Sequence, residues 1–340
     1  MTKSVNKSAL PLAALAMFML LQTAPSHAQF IQSYVSISGN DNNDCSLPVG
    51  TPPQGPCLTM ARALAQTVAG GEVVIGSPGF LNFFALATTI NKSVHISNGS
   101  GAEAYFGGHD FATPPSPAIT INAGAGDIVS LRGLTIDGEG AGTTGVLIQH
   151  ASAVHIQNCV IRNFEGTFPW GIVDASSSNS ALFVSDTLIY NNGSTPGTGG
   201  LLIQPTGTGS VRATLDRAHL ENNVVGLWVD GRLTTGTGSR VLLRDSVVTG
   251  NATDGIDVVS AAGKAPAFLL VEHTTSLHNG GIGIHADGPH ATILLKDNTI
   301  TQNGTGISAT NSGQLISYGN NTNNNNVGPE GAPTGFFSQM

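Results

Sequence analysis

A short motif recurs along this chain at a nearly constant spacing: a glycine, an aliphatic residue, any residue, and then usually another apolar residue. Seven copies begin at glycines that lie 25 to 29 residues apart. These glycines are Gly145, Gly171, Gly200, Gly226, Gly255, Gly281 and Gly306. Seven copies at one period indicate stacked structural repeats, each of which buries its apolar face against its neighbours.

Between these motifs runs a second pattern, in which two alternating apolar positions are followed five residues later by a third, as in Val154, Ile156 and Ile161. Each repeat therefore holds about three short strands separated by Gly/Asn turns, with no room for a helix of about ten residues. This pattern predicts one coil of a parallel β-helix. A leucine-rich repeat is excluded because its leucine framework is absent, and a β-propeller blade needs about forty residues.

The ends of such a solenoid need caps, because they expose apolar core and unpaired strand edges. We predict a β-helix of about nine or ten coils over residues 72–318, with strands at Val146–Ile148 and Ile256–Val258. Within an extension over residues 29–71, the helix-like stretch Cys57–Val68 is predicted to cap the first coil. The Asn-rich segment 319–340 is predicted either to cover the last coil or to be loose.

Residues 1–28 have the pattern of a signal peptide. Two lysines precede a mostly apolar run from Ala9 to Leu21, and Ser26-His27-Ala28 is a small-x-small cleavage site. The alternative of a membrane anchor is disfavoured because the run is too short to span a bilayer. We therefore predict an exported protein without a transmembrane segment after cleavage.

The charge of the chain disfavours nucleic acid as a partner. Cleavage after Ala28 removes Lys3 and Lys7 and leaves 11 basic against 21 acidic residues. Binding to phosphates needs clustered Lys and Arg, which this balance does not supply.

Cys45 and Cys57 flank a Pro/Gly-rich loop, and export makes a disulfide between them the favoured reading over two unrelated thiols. Cys159 occupies the position of Thr187, Ala218 and Ser246 in other repeats, and is predicted to be a small packed residue.

Two further columns of residues are predicted to stabilise the stack of coils. An asparagine recurs near the turn before six of the seven Gly motifs and is predicted to form a ladder of side-chain amides: Asn163, Asn192, Asn223, Asn251, Asn279 and Asn303. An outward position carries charges that alternate in sign over its last four members and is predicted to set the register of the coils: Arg132, Gln157, Ser185, Asp216, Arg244, Glu272 and Lys296.

The segment 34–41, Pro56-Cys57 before the predicted helix, the strand over residues 69–74 and the segment 131–138 resemble exported bacterial right-handed β-helix proteins of the pectin-lyase-like superfamily. The resemblance spans about residues 33–326 and implies an all-β, right-handed, single-stranded parallel β-helix. The superfamily includes pectate lyases, polygalacturonases, alginate epimerases and phage tailspikes. The resemblance therefore implies carbohydrate only at the level of the fold.

The catalytic signatures of these enzymes are absent from the sequence. The four sequence elements that polygalacturonases carry do not occur in this chain. The cluster of carboxylates with a basic residue that pectate lyases share is also absent from the sequence. Four histidines, His273, His278, His285 and His290, fall close together in sequence, but around a β-helix they should point in different directions, so we predict no metal site and no cofactor.

One outward strip, formed by the residues that follow the Gly motifs, is the candidate ligand-binding surface. It contains Trp228, Asp230, Asp257 and His285. An aromatic ring beside carboxylates suits a sugar, and Asp230 with Asp257 would be an acid/base pair, with His285 a further candidate. The alternative is a loop-covered Trp beside ordinary solvated carboxylates.

Two functions remain open from the sequence. The first is a non-catalytic solenoid that binds an extracellular polysaccharide or a protein partner, which the missing signatures favour. The second is a polysaccharide lyase, hydrolase or epimerase with an atypical site on the same strip.

Overall fold

A computed structural model describes residues 29–76, 79–80, 87–99, 104–107 and 116–337. The predicted signal peptide lies outside these residues. The described chain forms a parallel β-solenoid in which three sheets, here called A, B and C, run along its length. No helix among the described residues has the length and apolar character needed to cross a bilayer.

Sheet A has 12 strands, sheet B has 10 and sheet C has 9. The strands of sheet A are β1 (Phe30–Val35), β2 (Thr67–Ile75), β5 (Val94–Asn98), β8 (Ile128–Arg132), β11 (Ala153–Gln157), β14 (Asn179–Ser185), β17 (Ser210–Asp216), β20 (Gly238–Arg244), β23 (Ala267–Glu272), β26 (Ala291–Lys296), β29 (Gln314–Ser317) and β31 (Gly335–Phe336). The strands of sheet B are β3 (Gly79–Phe80), β6 (Ala104–Gly107), β9 (Leu134–Asp137), β12 (Val160–Arg162), β15 (Leu188–Tyr190), β18 (His219–Glu221), β21 (Val247–Thr249), β24 (Thr275–Leu277), β27 (Thr299–Thr301) and β30 (Thr322–Asn324). The strands of sheet C are β4 (Thr88–Ile90), β7 (Ile119–Asn122), β10 (Thr144–His150), β13 (Trp170–Asp174), β16 (Gly199–Ile203), β19 (Val225–Asp230), β22 (Ile256–Val259), β25 (Ile282–Asp287) and β28 (Thr305–Thr310).

Each regular coil passes through sheet C, then sheet A, then sheet B, and each strand pairs in parallel with its counterpart one coil away. The predicted strands at 146–148 and 256–258 are confirmed within β10 and β22. The Gly motifs mark about seven regular turns, from β10 to β28, somewhat fewer than the nine or ten coils predicted.

The core of the solenoid is a set of aliphatic columns, because alternate residues of each strand point inward. In sheet C, one column of residues in register contains four fully buried aliphatic residues, Ile148, Ile203, Val229 and Val258. The column is interrupted at one position, where Asp174 takes the place of an aliphatic residue between Ile148 and Ile203.

The Gly motif is explained by how closely the coils approach at its first residue. A Cβ atom added to Gly200 or Gly226 would lie 2.7 or 2.5 Å from the carbonyl oxygen of the equivalent glycine one coil on. In the coil of β25, that equivalent residue is Gly283, because Ile284 pairs with Ile256 and is fully buried. The sequence prediction placed the motif at Gly281 and was wrong by two residues.

The asparagine ladder is confirmed over most of its length. Side-chain amides of successive coils are joined by hydrogen bonds between Nδ2 and Oδ1, with lengths of 2.8 Å from Asn251 to Asn279 and 3.1 Å from Asn303 to Asn326. Each Oδ1 also accepts from a backbone N–H of the preceding coil, as Asn251 does from Asn223 at 2.9 Å. The ladder therefore satisfies backbone donors that a sharp corner would otherwise leave buried and unpaired.

Asn163 is not part of this ladder. The buried Phe164 stands at the ladder position, and its backbone N–H donates to Asn192 at 3.2 Å. Asn163 itself has a left-handed φ of 60° and donates from its side chain to Asp137. The prediction at Asn163 was wrong by one residue, because an asparagine at the left-handed corner and one in the ladder look alike in sequence.

A second buried column runs through Cys159, Thr187, Ala218 and Ser246, as the sequence predicted. The backbone N–H of Cys159 faces the hydroxyl of Thr187 at 3.4 Å, and that of Ala218 donates to Ser246 at 3.0 Å. Burial raises the pKa of the Cys159 thiol to about 11, so this cysteine is an unreactive packed residue.

The predicted column is formed on the outer face of sheet A, where strand pairing places its members in register on successive coils: Gln157, Ser185, Asp216, Arg244 and Glu272. Arg244 lies 3.1 Å from Asp216, and Lys296 lies 3.6 Å from Glu272. These pairs are partly exposed, so each contributes at most about 1 kcal/mol and mainly favours the correct register.

The N-terminal end is closed by a short helix and a disulfide. Helix α1 (Met60–Gln66) begins at Thr59, whose hydroxyl accepts from the backbone N–H of Arg62, and it lies within the predicted 57–68 stretch. The predicted disulfide between Cys45 and Cys57 is confirmed. Strand pairing extends beyond both predicted boundaries, residues 72 and 318, since β1 pairs with β2 and β31 pairs with β29.

The buried carboxyl of Asp174 predicts an unusual pH dependence of stability. Burial raises its pKa above the ordinary value for an aspartate, although hydrogen bonds from Ser176 and Ser180 partly offset the increase. Because the folded state holds this proton more tightly than the unfolded state, the contribution of Asp174 is most favourable below about pH 3.8 and is lost as pH rises through the folded pKa. We therefore expect Asp174→Asn to be more stable than the wild type at pH 7, with a difference that shrinks in acid. Urea unfolding at several pH values measures this.

Asp186 provides the matched control, because it is exposed and its pKa is lowered by its ion pair with Arg217. Asp186→Asn should have the opposite sign, with a small loss of stability at pH 7 that disappears in acid. Equal pH profiles for the two variants would contradict the raised pKa of the buried Asp174 carboxyl.

Candidate functional site

The candidate strip lies on the outer face of sheet C, where strand pairing places its residues side by side. Leu202 pairs with Trp228, Trp228 with Asp257, and Asp257 with His285. Adjacent strands of a sheet are about 4.8 Å apart, so an aromatic ring, a carboxylate and an imidazole stand on three consecutive coils. The two-residue shift of the motif to Gly283 is what brings His285 directly opposite Asp257.

Asp230 does not belong to the accessible part of this strip. Its carboxylate is buried and accepts hydrogen bonds from Arg232 Nη2 at 2.8 Å and Nε at 3.0 Å, and from Gln204 Nε2 at 2.7 Å. A carboxylate held in this way is a positioning group for Arg232. The proposed acid/base pair of Asp230 with Asp257 is therefore not supported by the geometry.

The Trp228 ring is partly exposed and partly covered. The guanidinium of Arg232 lies over the ring, 5.6 Å from its centroid, and the buried Trp170 packs at a tilt with a centroid distance of 6.2 Å. The indole Nε1 is buried and has no hydrogen-bond partner within the described residues. Arg232 lies in the loop between β19 and β20, so a loop residue partly covers the ring, as in the alternative that the sequence left open for Trp228.

Asp257 and His285 form the most connected part of the site. Nδ1 of His285 lies 3.0 Å from Oδ1 of Asp257, and Nε2 lies 2.9 Å from the hydroxyl of Thr310. Thr310 in turn donates to Asp287 at 2.8 Å. The side chains of Asp257 and His285 are 13% and 15% exposed, so the pair is sheltered but reachable from solvent.

The pKa values of His285 and of a neighbouring aspartate are both raised. The hydrogen bond to Asp257 raises the pKa of His285, which favours the imidazolium. Burial raises the pKa of the neighbouring Asp254, and the negative charge of Asp257 adds to that increase. Groups with perturbed pKa values in one place are a common feature of functional sites and of structural ion-pair networks.

Comparison with known protein families places this geometry in context. The family model described as "Right handed beta helix region" matches residues 118–327, which is more than half of the chain. The chain belongs to the right-handed β-helix family. The candidate site of this β-helix, from Trp228 to Thr310, lies wholly inside the matched region.

Among solved structures, this β-helix is similar to the one titled "Crystal structure of pectate lyase Pel9A". The TM-score is 0.57 at 13% sequence identity, and the match covers 92% of this chain and 79% of the other. At that identity the likeness shows the fold alone. No curated protein matches the sequence.

Three side chains of the β-helix come together as a group that could hold a metal ion. One ligand atom from each of Asp254, Asp257 and His285 lies within 4.8 Å of the other two. No metal site was predicted from the sequence. Among the described residues, the other three histidines that lie close to His285 in sequence do not join this set of ligands. His273, for example, pairs with Asp297 at 3.5 Å.

Sequence reasoning found Trp228, Asp257 and His285 but missed Asp254 and Arg232. Asp254 lies in the turn immediately before Gly255, and its carboxylate accepts from the backbone N–H of Ile282 at 2.6 Å. A carboxylate directly before a Gly motif was the only available signal, and it also fits an ordinary turn residue. Arg232 lies two residues beyond Asp230 in a loop, where the sequence carries no periodicity that predicts a side chain's direction.

Proposed function

We propose that this β-helix is exported and binds an extracellular polysaccharide along the outer face of sheet C, without catalysing its cleavage. The observation that carries the proposal is the register of Trp228, Asp257 and His285 on three consecutive coils. An aromatic ring beside hydrogen-bonding groups is an arrangement that suits the recognition of sugar rings. The Cys45–Cys57 disulfide supports export, because disulfides persist in oxidising compartments.

Arg232 extends the proposal to the charge of the polysaccharide. Its side chain is 45% exposed, while Asp230 holds Nε and Nη2 in a fixed orientation over Trp228. A guanidinium fixed in this way presents its remaining N–H groups to solvent and suits a carboxylate. We therefore propose a polymer that contains uronic acids, with a sugar ring against the free part of the Trp228 surface.

We expect Trp228→Ala to weaken binding to such a polymer by about 1–3 kcal/mol, a range taken from other aromatic stacking sites. Affinity electrophoresis or titration calorimetry with uronic-acid oligosaccharides measures the change. The fold should be retained, since the ring is on the outer face. Phe183→Ala is the matched control, because Phe183 is a 39% exposed aromatic residue on the outer face of sheet A, and its loss should leave affinity unchanged. An unfolded Trp228→Ala protein, or one with wild-type affinity, would refute the site.

A second candidate function is a polysaccharide lyase, hydrolase or epimerase that uses Asp254, Asp257 and His285. The observations that favour it are the short distance between these three side chains and the raised pKa of both Asp254 and His285, close to the partly covered Trp228. An acid with a raised pKa keeps its proton to a higher pH and can act as a proton donor, and Asp257 would orient His285 for proton transfer. This reading replaces the Asp230–Asp257 pair, since Asp230 is occupied by Arg232. It requires turnover, which distinguishes it from the binding proposal.

A further inference from the structure

The orientation of the His285 ring is fixed by a chain of hydrogen bonds on its Nε2 side. The Asp287 carboxylate accepts from the Thr310 hydroxyl at 2.8 Å and from the Asn311 side-chain amide at 2.7 Å. The single hydroxyl hydrogen of Thr310 is therefore donated to Asp287. The Thr310 oxygen must then accept from His285, 2.9 Å away, which places a hydrogen on Nε2.

This arrangement sets a requirement on the Nδ1 side of the ring. In a neutral imidazole that carries its hydrogen on Nε2, Nδ1 is an acceptor. It faces Oδ1 of Asp257 at 3.0 Å, and one ligand atom each of Asp254, Asp257 and His285 lies within 4.8 Å of the other two. A lone pair and two carboxylate oxygens at these distances repel one another unless a positive species lies among them. Either a proton on Nδ1 or a metal cation meets that requirement.

We propose that this position is a binding site for a divalent transition-metal cation, with Nδ1 of His285 and one oxygen each from Asp254 and Asp257 as ligands. The proposal does not depend on polysaccharide binding. Thr310 and Asp287 have the outer-sphere role that is common for a ligating histidine, whose second nitrogen donates to a hydroxyl or carboxylate chain and so fixes the ring.

The donor set decides which cation is expected. Imidazole with carboxylates suits Zn²⁺ and its first-row neighbours, whereas Ca²⁺ and Mg²⁺ take oxygen ligands. Zn–N and Zn–O bonds of about 2.0–2.2 Å place tetrahedral ligands about 3.3–3.5 Å apart. The observed separations of up to 4.8 Å therefore need only small side-chain rotations to close around the ion. Three protein ligands leave a fourth position for water, on the side where Asp257 and His285 remain partly exposed.

The test is titration calorimetry of the full chain, freed of metal by chelation, with Zn²⁺, and with Ca²⁺ and Mg²⁺ in parallel. We expect one Zn²⁺ per chain and much weaker binding of the other two ions. His285→Gln should weaken Zn²⁺ binding by about 100-fold or more, and Thr310→Val, which removes only the orienting partner, by about 10–100-fold. His273→Gln is the matched control, because His273 also pairs with an aspartate, at 3.5 Å, but lacks a third ligand, and its loss should change nothing.

Several results would overturn the proposal. Absence of Zn²⁺ binding in the wild type would mean that a proton alone occupies Nδ1. Wild-type Zn²⁺ affinity in His285→Gln, or Ca²⁺ affinity equal to that for Zn²⁺, would mean that imidazole is not a ligand. If His285→Gln fails to fold, the visible absorption of Co²⁺ added to the wild type and to Thr310→Val decides instead. A spectrum typical of nitrogen and oxygen ligands in the wild type, weakened in Thr310→Val, supports the site, and the spectrum of aqueous Co²⁺ refutes it. Glycan binding measured in chelator stays a separate result, so either proposal can fail alone.

Discussion

Replacing Asn223 by alanine should cause a large loss in the free energy of unfolding. Its side chain accepts from the backbone N–H and from Nδ2 of Asn192, each at 3.0 Å, and donates to the carbonyl of Ile189 at 2.9 Å. Asn223 is buried, so alanine would remove three hydrogen bonds and leave the Asn192 backbone N–H and the Ile189 carbonyl without these partners, while Asn192 Nδ2 would keep its bond to the carbonyl of Ile161 at 3.2 Å. At about 1–3 kcal/mol for each of the two orphaned groups, with some relaxation, we expect a loss of about 2–5 kcal/mol.

The residue next to it provides the control. Asn222 is exposed, has a left-handed φ of 53°, and lies at the corner outside the ladder. Glycine adopts this conformation without strain, so Asn222→Gly should change stability by less than about 1 kcal/mol. Equilibrium urea unfolding followed by circular dichroism compares the two variants. Similar losses for both would show that corner geometry, and not the amide ladder, holds the coils together.

Gly226→Ala should be strongly destabilising although it adds only a single methyl group. The new Cβ would lie 2.5 Å from the carbonyl oxygen of Gly255, 2.8 Å from Val248 Cγ1 and 2.9 Å from Asn251 Nδ2. The first of these atoms is backbone in the next coil and cannot move away without parting the strands. Overpacking of this kind costs about 1–3 kcal/mol, and we expect a value near the upper end.

Gly126→Ala is the control for that prediction, because a Cβ there meets no atom within 4 Å and the backbone is not left-handed. It should be neutral, or stabilising by up to about 1 kcal/mol, since alanine has less freedom in the unfolded chain. Thermal unfolding of both variants gives the comparison. A neutral Gly226→Ala would mean that the repeated glycine is not required by the close approach of the coils.

The sequence predicted the solenoid because its repeat is a direct consequence of stacking. A glycine at the position of Gly226 and an asparagine at the position of Asn223 recur in the coils. They recur because each coil has the same close backbone approach and the same unpaired backbone groups at these positions. The errors came where one pattern admits two registers. In the segment Gly281-Ile282-Gly283-Ile284, either glycine fits the motif, and only pairing with β22 selects Gly283.

The candidate site was less predictable, because it depends on contacts between coils and loops. The strand alternation predicts that the side chain of Asp230 points outward, but Arg232 and Gln204 bind its carboxylate and enclose it. Neither partner follows from strand periodicity. Trp228, Asp257 and His285 were found because they occupy strand positions, where register alone fixes their neighbours.

We propose that the outer face of sheet C binds a uronic-acid polysaccharide without cleaving it. One incubation series tests this function most directly. The protein is mixed with a panel of uronic-acid polymers, and each sample is assayed for retained polymer and for released reducing or unsaturated ends, against a heat-killed control. A companion series with Asp257→Asn separates the two functions, since an acid/base role for Asp257 would lower turnover more than binding. We predict that at least one polymer is retained and that no ends are released above the control. Release of ends above the control, or failure to retain any of the polymers, would contradict this proposed function.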